Sequence, residues 1–270
     1  MSAKIIAFAN QKGGVGKTTS CVNVAASLVA ARKKVLLVDL DPQGNATMGS
    51  GVNKSSLSDT VNEVLLGDAA VKDVILVATP AGYDLLPANG DLTSAEIALL
   101  KQNSREQTLS KILKLVAVNY DFIVLDCPPS LNMLTLNALV AAHSIIIPMQ
   151  CEYYALEGLS ALLATMEQVK SSLNSKLEIE GIIRTMYDPR NRLAIDVSEQ
   201  LTKHFKSKVY KTIIPRNVRL AEAPSHGLPV ILYDKNSRGS AAYLALAGEI
   251  IKANNAAAKQ SLMKKEAQTA

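Results

Sequence analysis

Residues Gln11-Lys12-Gly13-Gly14-Val15-Gly16-Lys17-Thr18 set two lysines, three glycines and a hydroxyl within eight positions. That combination suits the phosphates of a nucleotide. The phosphate-loop template, glycine, four residues, then Gly-Lys-Thr, is met everywhere except its first position, where Gln11 replaces glycine. The amides of Gly13, Gly14, Val15, Gly16 and Lys17 are expected to converge on phosphate oxygens, with Thr18 and Thr19 opening the following helix. Lys17 is expected at the β/γ-phosphates and the Thr18 hydroxyl on Mg²⁺. Lys12 lies five places before Lys17. A one-subunit phosphate loop has no use for that second charge, so it requires a role of its own.

Such a loop works only between a strand and a helix. Lys4 to Asn10 is an apolar run of strand length, and Thr18 to Ala31 repeats Val22, Ala25, Ala26 and Val29 at helical spacing. Val35 to Asp39, Phe122 to Asp126 and Ile145 to Met149 are continuous apolar runs, the pattern of strands covered on both faces. Further strands are predicted at 83–87, 179–186 and 209–214. Helices are predicted at 91–101, 105–118, 131–142, 155–173, 192–205 and 238–253. The alternation predicts a single-domain α/β fold, a mostly parallel twisted sheet with helices on both faces. Residues 42–60, rich in Gly, Ser and Asn, read as a mobile loop. The predicted domain covers 1–254, and 255–270 reads as a flexible, Ala/Lys/Gln-rich tail.

Ligands of such sheets bind at the carboxyl ends of the strands, where the acidic residues of interest fall. Asp126 ends a strand and precedes Cys127-Pro128-Pro129-Ser130. It stands where a Walker B acid would hold Mg²⁺ through water. Asp39 and Asp41 precede Pro42, which in isolation is ordinary turn chemistry. Beside a phosphate loop, Asp41 is expected to orient or deprotonate the attacking water, and Asp39 to support the metal with Thr18 and Asp126.

Composition narrows the class. The chain has 270 residues, 48% of them hydrophobic, enough for one large core. No apolar stretch approaches the ~20 residues of a membrane helix and the start lacks a leader pattern, so the expected location is cytoplasmic. Cys21, Cys127 and Cys151 are widely spaced and read as buried thiols rather than a metal site. The net charge is +5, but between Arg184 and Arg219 nine Lys or Arg face three acids, a local +6 that leaves −1 for the remainder. Taken alone, such a stretch is a solvated face or an anion-binding surface.

Five segments together carry a resemblance: KGGVGKTT at 12–19, VDLDPQGNAT at 38–47, DCPPS at 126–130, QCEYYALEGL at 150–159 and IPRNVRLAEAPSHGLP at 214–229. They resemble the ParA/Soj chromosome-partitioning ATPases, and the likeness runs from Lys4 to about Ile251. The resemblance implies a slow ATPase with a deviant Walker A loop. In that family ATP and Mg²⁺ are sandwiched in a homodimer, and the lysine matching Lys12 reaches the partner's nucleotide. It implies catalytic roles for Lys12, Lys17 and Asp41, and adenine contacts from Pro215, Arg216 and Asn217. It further implies ATP-dependent binding of non-specific double-stranded DNA, a nucleoid-associated location, and stimulation by a ParB-type centromere-binding protein. Arg190 and Arg219 match the family's DNA-binding region, with Arg192, Lys203 and Arg216 as further contributors.

Other readings are weaker on the sequence. A MinD-like membrane-cycling regulator needs a C-terminal amphipathic helix, yet Leu262 and Met263 are the only large apolar groups in the last seventeen residues. An iron-sulfur reductase needs paired cysteines, for which Cys127 is poorly placed. Ten residues before Gln11 leave no room for an N-terminal helix-turn-helix reader. Glu152, Tyr153 and Tyr154 are given no catalytic role, since a Tyr pair after a strand is more often core and interface packing than catalysis, and His143, His204 and His226 receive no role.

Overall fold

The computed structural model describes residues 3–101, 103–153 and 155–269, with side chains through Ala257 in the final helix. Seven strands form one wholly parallel sheet: β1 (Lys4–Phe8), β2 (Val35–Asp39), β3 (Asp84–Leu86), β4 (Phe122–Asp126), β5 (Ser144–Gln150), β6 (Glu178–Tyr187) and β7 (Val209–Pro215), in the order β3-β2-β4-β1-β5-β6-β7. The helices are α1 (Lys17–Ala30), α2 (Asn45–Gly49), α3 (Val61–Leu66), α4 (Val71–Val74), α5 (Leu92–Leu99), α6 (Thr108–Lys114), α7 (Met133–Ala141), α8 (Ala155–Ser172), α9 (Arg192–Phe205), α10 (Val218–Glu222), α11 (Val230–Tyr233) and α12 (Arg238–Thr269).

The sheet is buried on both sides, as its apolar runs require. Along β1, Ile5 and Ala7 enter the core under α3 and α5–α9, while Ile6 and Phe8 enter the opposite core under α1 and α12. Alternate side chains of a strand point to opposite faces, so one apolar run serves two cores. Placing β4 between β2 and β1 has a functional consequence. The chain leaves β1 toward one edge of the sheet and leaves β4 toward the other, so a crevice opens above the carboxyl ends of these two strands. The glycine loop follows β1 and Asp126 ends β4, so both meet there.

The predicted strands are all present within a residue or two of their expected ends. The loops are less plain than their composition suggested. Within 42–60, α2 packs with Ala46 and Thr47 fully buried, which corrects the reading of this stretch as a mobile loop. The expected helix at 105–118 is α6 between two 3-10 turns. Short α3 was missed because six residues are too few for a periodicity. A capping box forms it: the Thr60 side chain accepts from the Asn62 amide while Glu63 accepts from the Thr60 amide at 2.7 Å. Finally, α12 runs beyond 253, its backbone helical to Thr269 through residues of high helix propensity.

Candidate nucleotide site and basic surface

The glycine loop is held at three points, each a hydrogen bond to backbone. Asn10 donates its amide to the Pro148 carbonyl at 2.8 Å and accepts the Lys12 amide at 3.0 Å, tying the loop to β5. From β6, the Thr185 hydroxyl donates to the Val15 carbonyl at 2.8 Å. Gly14 and Gly16 adopt φ of 72° and 83°, a left-handed backbone that side chains disfavour. No atom lies within 4 Å of where a Cβ on Gly13 or Gly14 would stand. Gly16 caps α1 without a side-chain hydrogen bond, and the first turn holds no acid. Free amides at a helix N-terminus beside open space make an anion cradle.

Lys17 points into this cradle. It is only 7% exposed, and its ammonium donates to the Lys12 carbonyl at 3.0 Å, leaving further donors on the same group. Burial pulls its pKa below the ordinary lysine value, opposed by the charges of Asp126 and Asp41. Thr18 and Thr19 follow on the first turn of α1.

Asp39 and Asp126 are register partners across β2 and β4. Burial raises the pKa of both, Asp126 more strongly, because Asp39 adds its charge at close range. Their hydrogen bonding separates their roles. Asp39 is engaged on both oxygens: one accepts both the amide and the hydroxyl of Thr47 at 2.8 Å, and the other accepts the Asp41 amide at 3.1 Å. Asp126 accepts the Cys21 thiol at 3.3 Å on Oδ1, and Thr18, one turn earlier on α1, is near enough to oppose the rise in its pKa. Its Oδ2 is buried with no partner among the described residues. A buried oxygen without a donor fits a hard cation that takes oxygen ligands. Thr18 and Asp126 therefore suit Mg²⁺, whereas Asp39 fastens α2 and the Asp41 backbone to the sheet. Asp41 is buried, accepts the Gln43 amide at 2.9 Å, and acts electrostatically on Lys17 and Asp126.

Lys12 has a partner that the sequence reading overlooked. Its ammonium pairs with the Glu152 carboxylate at 2.5 Å, both side chains partly exposed, at 40% and 44%. Glu152 follows β5 and so shares the sheet's carboxyl edge. The sequence alone assigns Glu152 no role, and its pairing with Lys12 is what the structure adds. Tyr153 is exposed, and Tyr154 lies outside the described residues. Pro215 ends β7 opposite Tyr187, the Arg216 amide donates to the Tyr187 carbonyl at 3.3 Å, and Asn217 caps α10 through its side-chain oxygen. A cavity of about 240 Å³ beside them is lined by Glu152, Tyr187, Asp188 and Arg216.

The basic stretch divides when folded. Arg190 and Arg192 stand where β6 passes into α9, and Arg216 and Arg219 follow β7, so these four share the carboxyl edge. Lys203 is eleven residues along α9 from Arg192, about 16 Å away at ~1.5 Å per residue, near the opposite edge. Arg184 turns inward, donating to the Tyr210 carbonyl at 2.7 Å and the Ser198 hydroxyl at 3.0 Å. Both surface arginines of main interest are paired. Arg190, its side chain 88% exposed, grips Asp188 with two nitrogens at 2.9 and 2.7 Å. Arg219 meets Glu222 at 2.8 Å and Asp234 at 3.3 Å.

All three cysteines are buried, and among the described residues no group of three or more His, Cys, Asp or Glu side chains is clustered as a self-sufficient metal site. None of the described helices is long and apolar enough to cross a membrane.

A glycine loop at a helix N-terminus, a buried lysine within it and an orphaned aspartate oxygen on the adjacent strand define a P-loop nucleotide-binding protein. Residues 3–179 match the family model described as an AAA domain. The chain is 56% identical to the sporulation initiation inhibitor protein Soj of Bacillus subtilis over 92% of its own length and 98% of that protein's. With the chromosome partitioning protein ParA of Myxococcus xanthus it shares 50% identity over 92% and 88%. A similar solved structure is cobyrinic acid a,c-diamide synthase from Mycobacterium smegmatis with bound ATP analogue and magnesium: 38% identity, TM-score 0.80, covering 91% of this chain and 93% of that one. The chain belongs to the ParA/Soj family of chromosome-partitioning ATPases.

Proposed function

We propose that this chain is a DNA-segregation ATPase in which ATP occupancy controls dimerisation and, through it, attachment to DNA. The observation that carries the reading is the convergence of the open glycine cradle, buried Lys17 and the unpartnered Asp126 oxygen in one crevice. ATP is the substrate, with its phosphates against the amides of residues 13–17. Thr18 directly, and Asp126 through water, would hold Mg²⁺, which when bound supplies charge neutralisation at the phosphates. Asp39 supports that site by fixing the backbone that carries Asp41.

Asp41 orients the attacking water, because its buried carboxylate extends from a loop fastened to the same strand edge as Lys17. Lys12, partly exposed and held among the described residues by Glu152, is the cation available to a second subunit's phosphates. Pro215, Arg216 and Asn217 border the base. Arg190, Arg192, Arg216 and Arg219 form the DNA surface, and a ParB-type protein on the cargo DNA stimulates turnover. Residues 1–254 constitute the working domain: beyond Asn254 the described side chains of α12 are exposed. Nucleoid association follows from non-specific DNA binding.

The test is DNA retention by full-length protein with ADP, ATP and a non-hydrolysable analogue. Retention with ATP and the analogue but not ADP supports the proposal; equal retention in all three overturns it.

A further inference from the structure

The two arginines central to the DNA surface do not stand free. Asp188 Oδ1 accepts the Arg190 Nε at 2.9 Å and Oδ2 accepts Nη2 at 2.7 Å, a two-pronged grip on the guanidinium edge. Arg219 uses Nη1 on Glu222 at 2.8 Å and Nε on Asp234 at 3.3 Å. Glu222 is in turn anchored by the Tyr233 hydroxyl at 3.2 Å. Arg192 on the same edge forms no ion pair among the described residues.

A guanidinium presents the same planar fork to a carboxylate as to a phosphate. We propose that Asp188, and Glu222 with Asp234, act as internal phosphate surrogates that occupy the forks of Arg190 and Arg219 and thereby limit affinity for the DNA backbone. The inference rests on the DNA-binding reading above.

Competition has a definite cost. For Arg190 to take a DNA phosphate, the Asp188 grip must loosen, and the released carboxylate then recruits a cation from solution. That uptake offsets part of the counterion release that drives binding. Asp188 weighs on a second contact too, since it also lies within electrostatic reach of Arg216. Exposed ion pairs contribute little to stability, so these carboxylates are free to serve in tuning affinity.

Asp188→Asn is the informative variant. Asp188 also receives the Arg190 amide at 3.0 Å, a turn that asparagine preserves because its side-chain carbonyl accepts equally. Retention on linear double-stranded DNA of mixed sequence, with ATP, would be measured across a salt series. Asp188→Asn is expected to bind several-fold tighter, about 3- to 10-fold, with a salt slope steeper by about one per subunit. Glu222→Gln with Asp234→Asn should act alike through Arg219. Glu199→Gln, the same charge change farther along the chain on α9, should shift affinity less than about twofold, since surface charges beyond a Debye length are screened. In an Arg190→Ala background the Asp188→Asn gain should vanish. Wild-type binding that Asp188→Asn leaves unchanged in affinity and slope overturns the inference, as does a gain that survives Arg190→Ala. Wild-type protein that ATP never retains on DNA instead removes the underlying reading.

Discussion

The phosphate cradle and the arginine surface, the two places proposed to meet anions, are built in opposite ways. In the cradle, Lys17 is buried and bound to a backbone carbonyl, and Asp39 is engaged on both oxygens by Thr47 and the Asp41 amide. Both of these charges are positioned by the main chain or by a fixed hydroxyl. On the surface, Arg190 and Arg219 are exposed and, among the described residues, their guanidinium groups pair with carboxylates of neighbouring loops and helices. Preorganisation suits a site that must stabilise developing charge at a set point. Exchangeable pairs suit a surface that must attach to any phosphate backbone and let go. Lys12 belongs to the second kind although it sits in the first, being partly exposed and paired with Glu152.

The contrast predicts graded effects. The largest should follow Lys17→Ala: loss of turnover and of ATP-dependent DNA retention by at least about 100-fold, as expected when a preorganised charge is removed from a phosphoryl-transfer site. Undiminished ATP-dependent retention would break the link between the two regions. Asp41→Ala should cut steady-state phosphate release by a similar order, about 100-fold, while ATP binding and dimerisation persist, since a water-orienting group acts on the chemical step. Normal release by that variant would remove Asp41 from the chemistry.

A stability measurement probes how rigidly the cradle is built. Thr47→Val deletes the hydroxyl that donates to Asp39 and accepts the Ala88 amide at 2.9 Å. Leaving buried groups unpaired should cost about 1–3 kcal/mol in urea denaturation. A smaller effect is expected for Arg190→Glu: weaker DNA retention and a shallower salt slope with the ATP dimer intact, by about one counterion per subunit at least. Lys203→Ala should change retention least, because it lies toward the other edge of the sheet. A loss equal to that of Arg190→Glu would erase the division of the basic stretch.

Much of this was legible in the sequence, for identifiable reasons. Continuous apolar runs such as Val35–Asp39 leave little choice but a doubly covered strand, and such strands put Asp39 and Asp126 side by side. Within the glycine loop, sequence neighbours are also spatial neighbours, so spacing alone conveys the chemistry. Long-range pairing is where the reading stopped. Glu152 meets Lys12 across 140 positions, and no local pattern distinguishes it from the tyrosines beside it. Thr47 was hidden in a stretch that composition marks as loop, where its buried hydroxyl ties Asp39 to the Ala88 amide. Counting charge between Arg184 and Arg219 found the right neighbourhood but treated it as a sum. Folding turns Arg184 inward, sends Lys203 to the far end of a helix, and makes Asp188 a partner of Arg190 instead of one unit of negative charge.

The most direct test of the account uses Asp41→Ala to hold the ATP state in place. Sedimentation and DNA retention would be measured on this variant with ATP and with ADP. The account predicts a dimer retained on DNA with ATP and an unretained monomer with ADP. The same mass and the same retention with both nucleotides would contradict it.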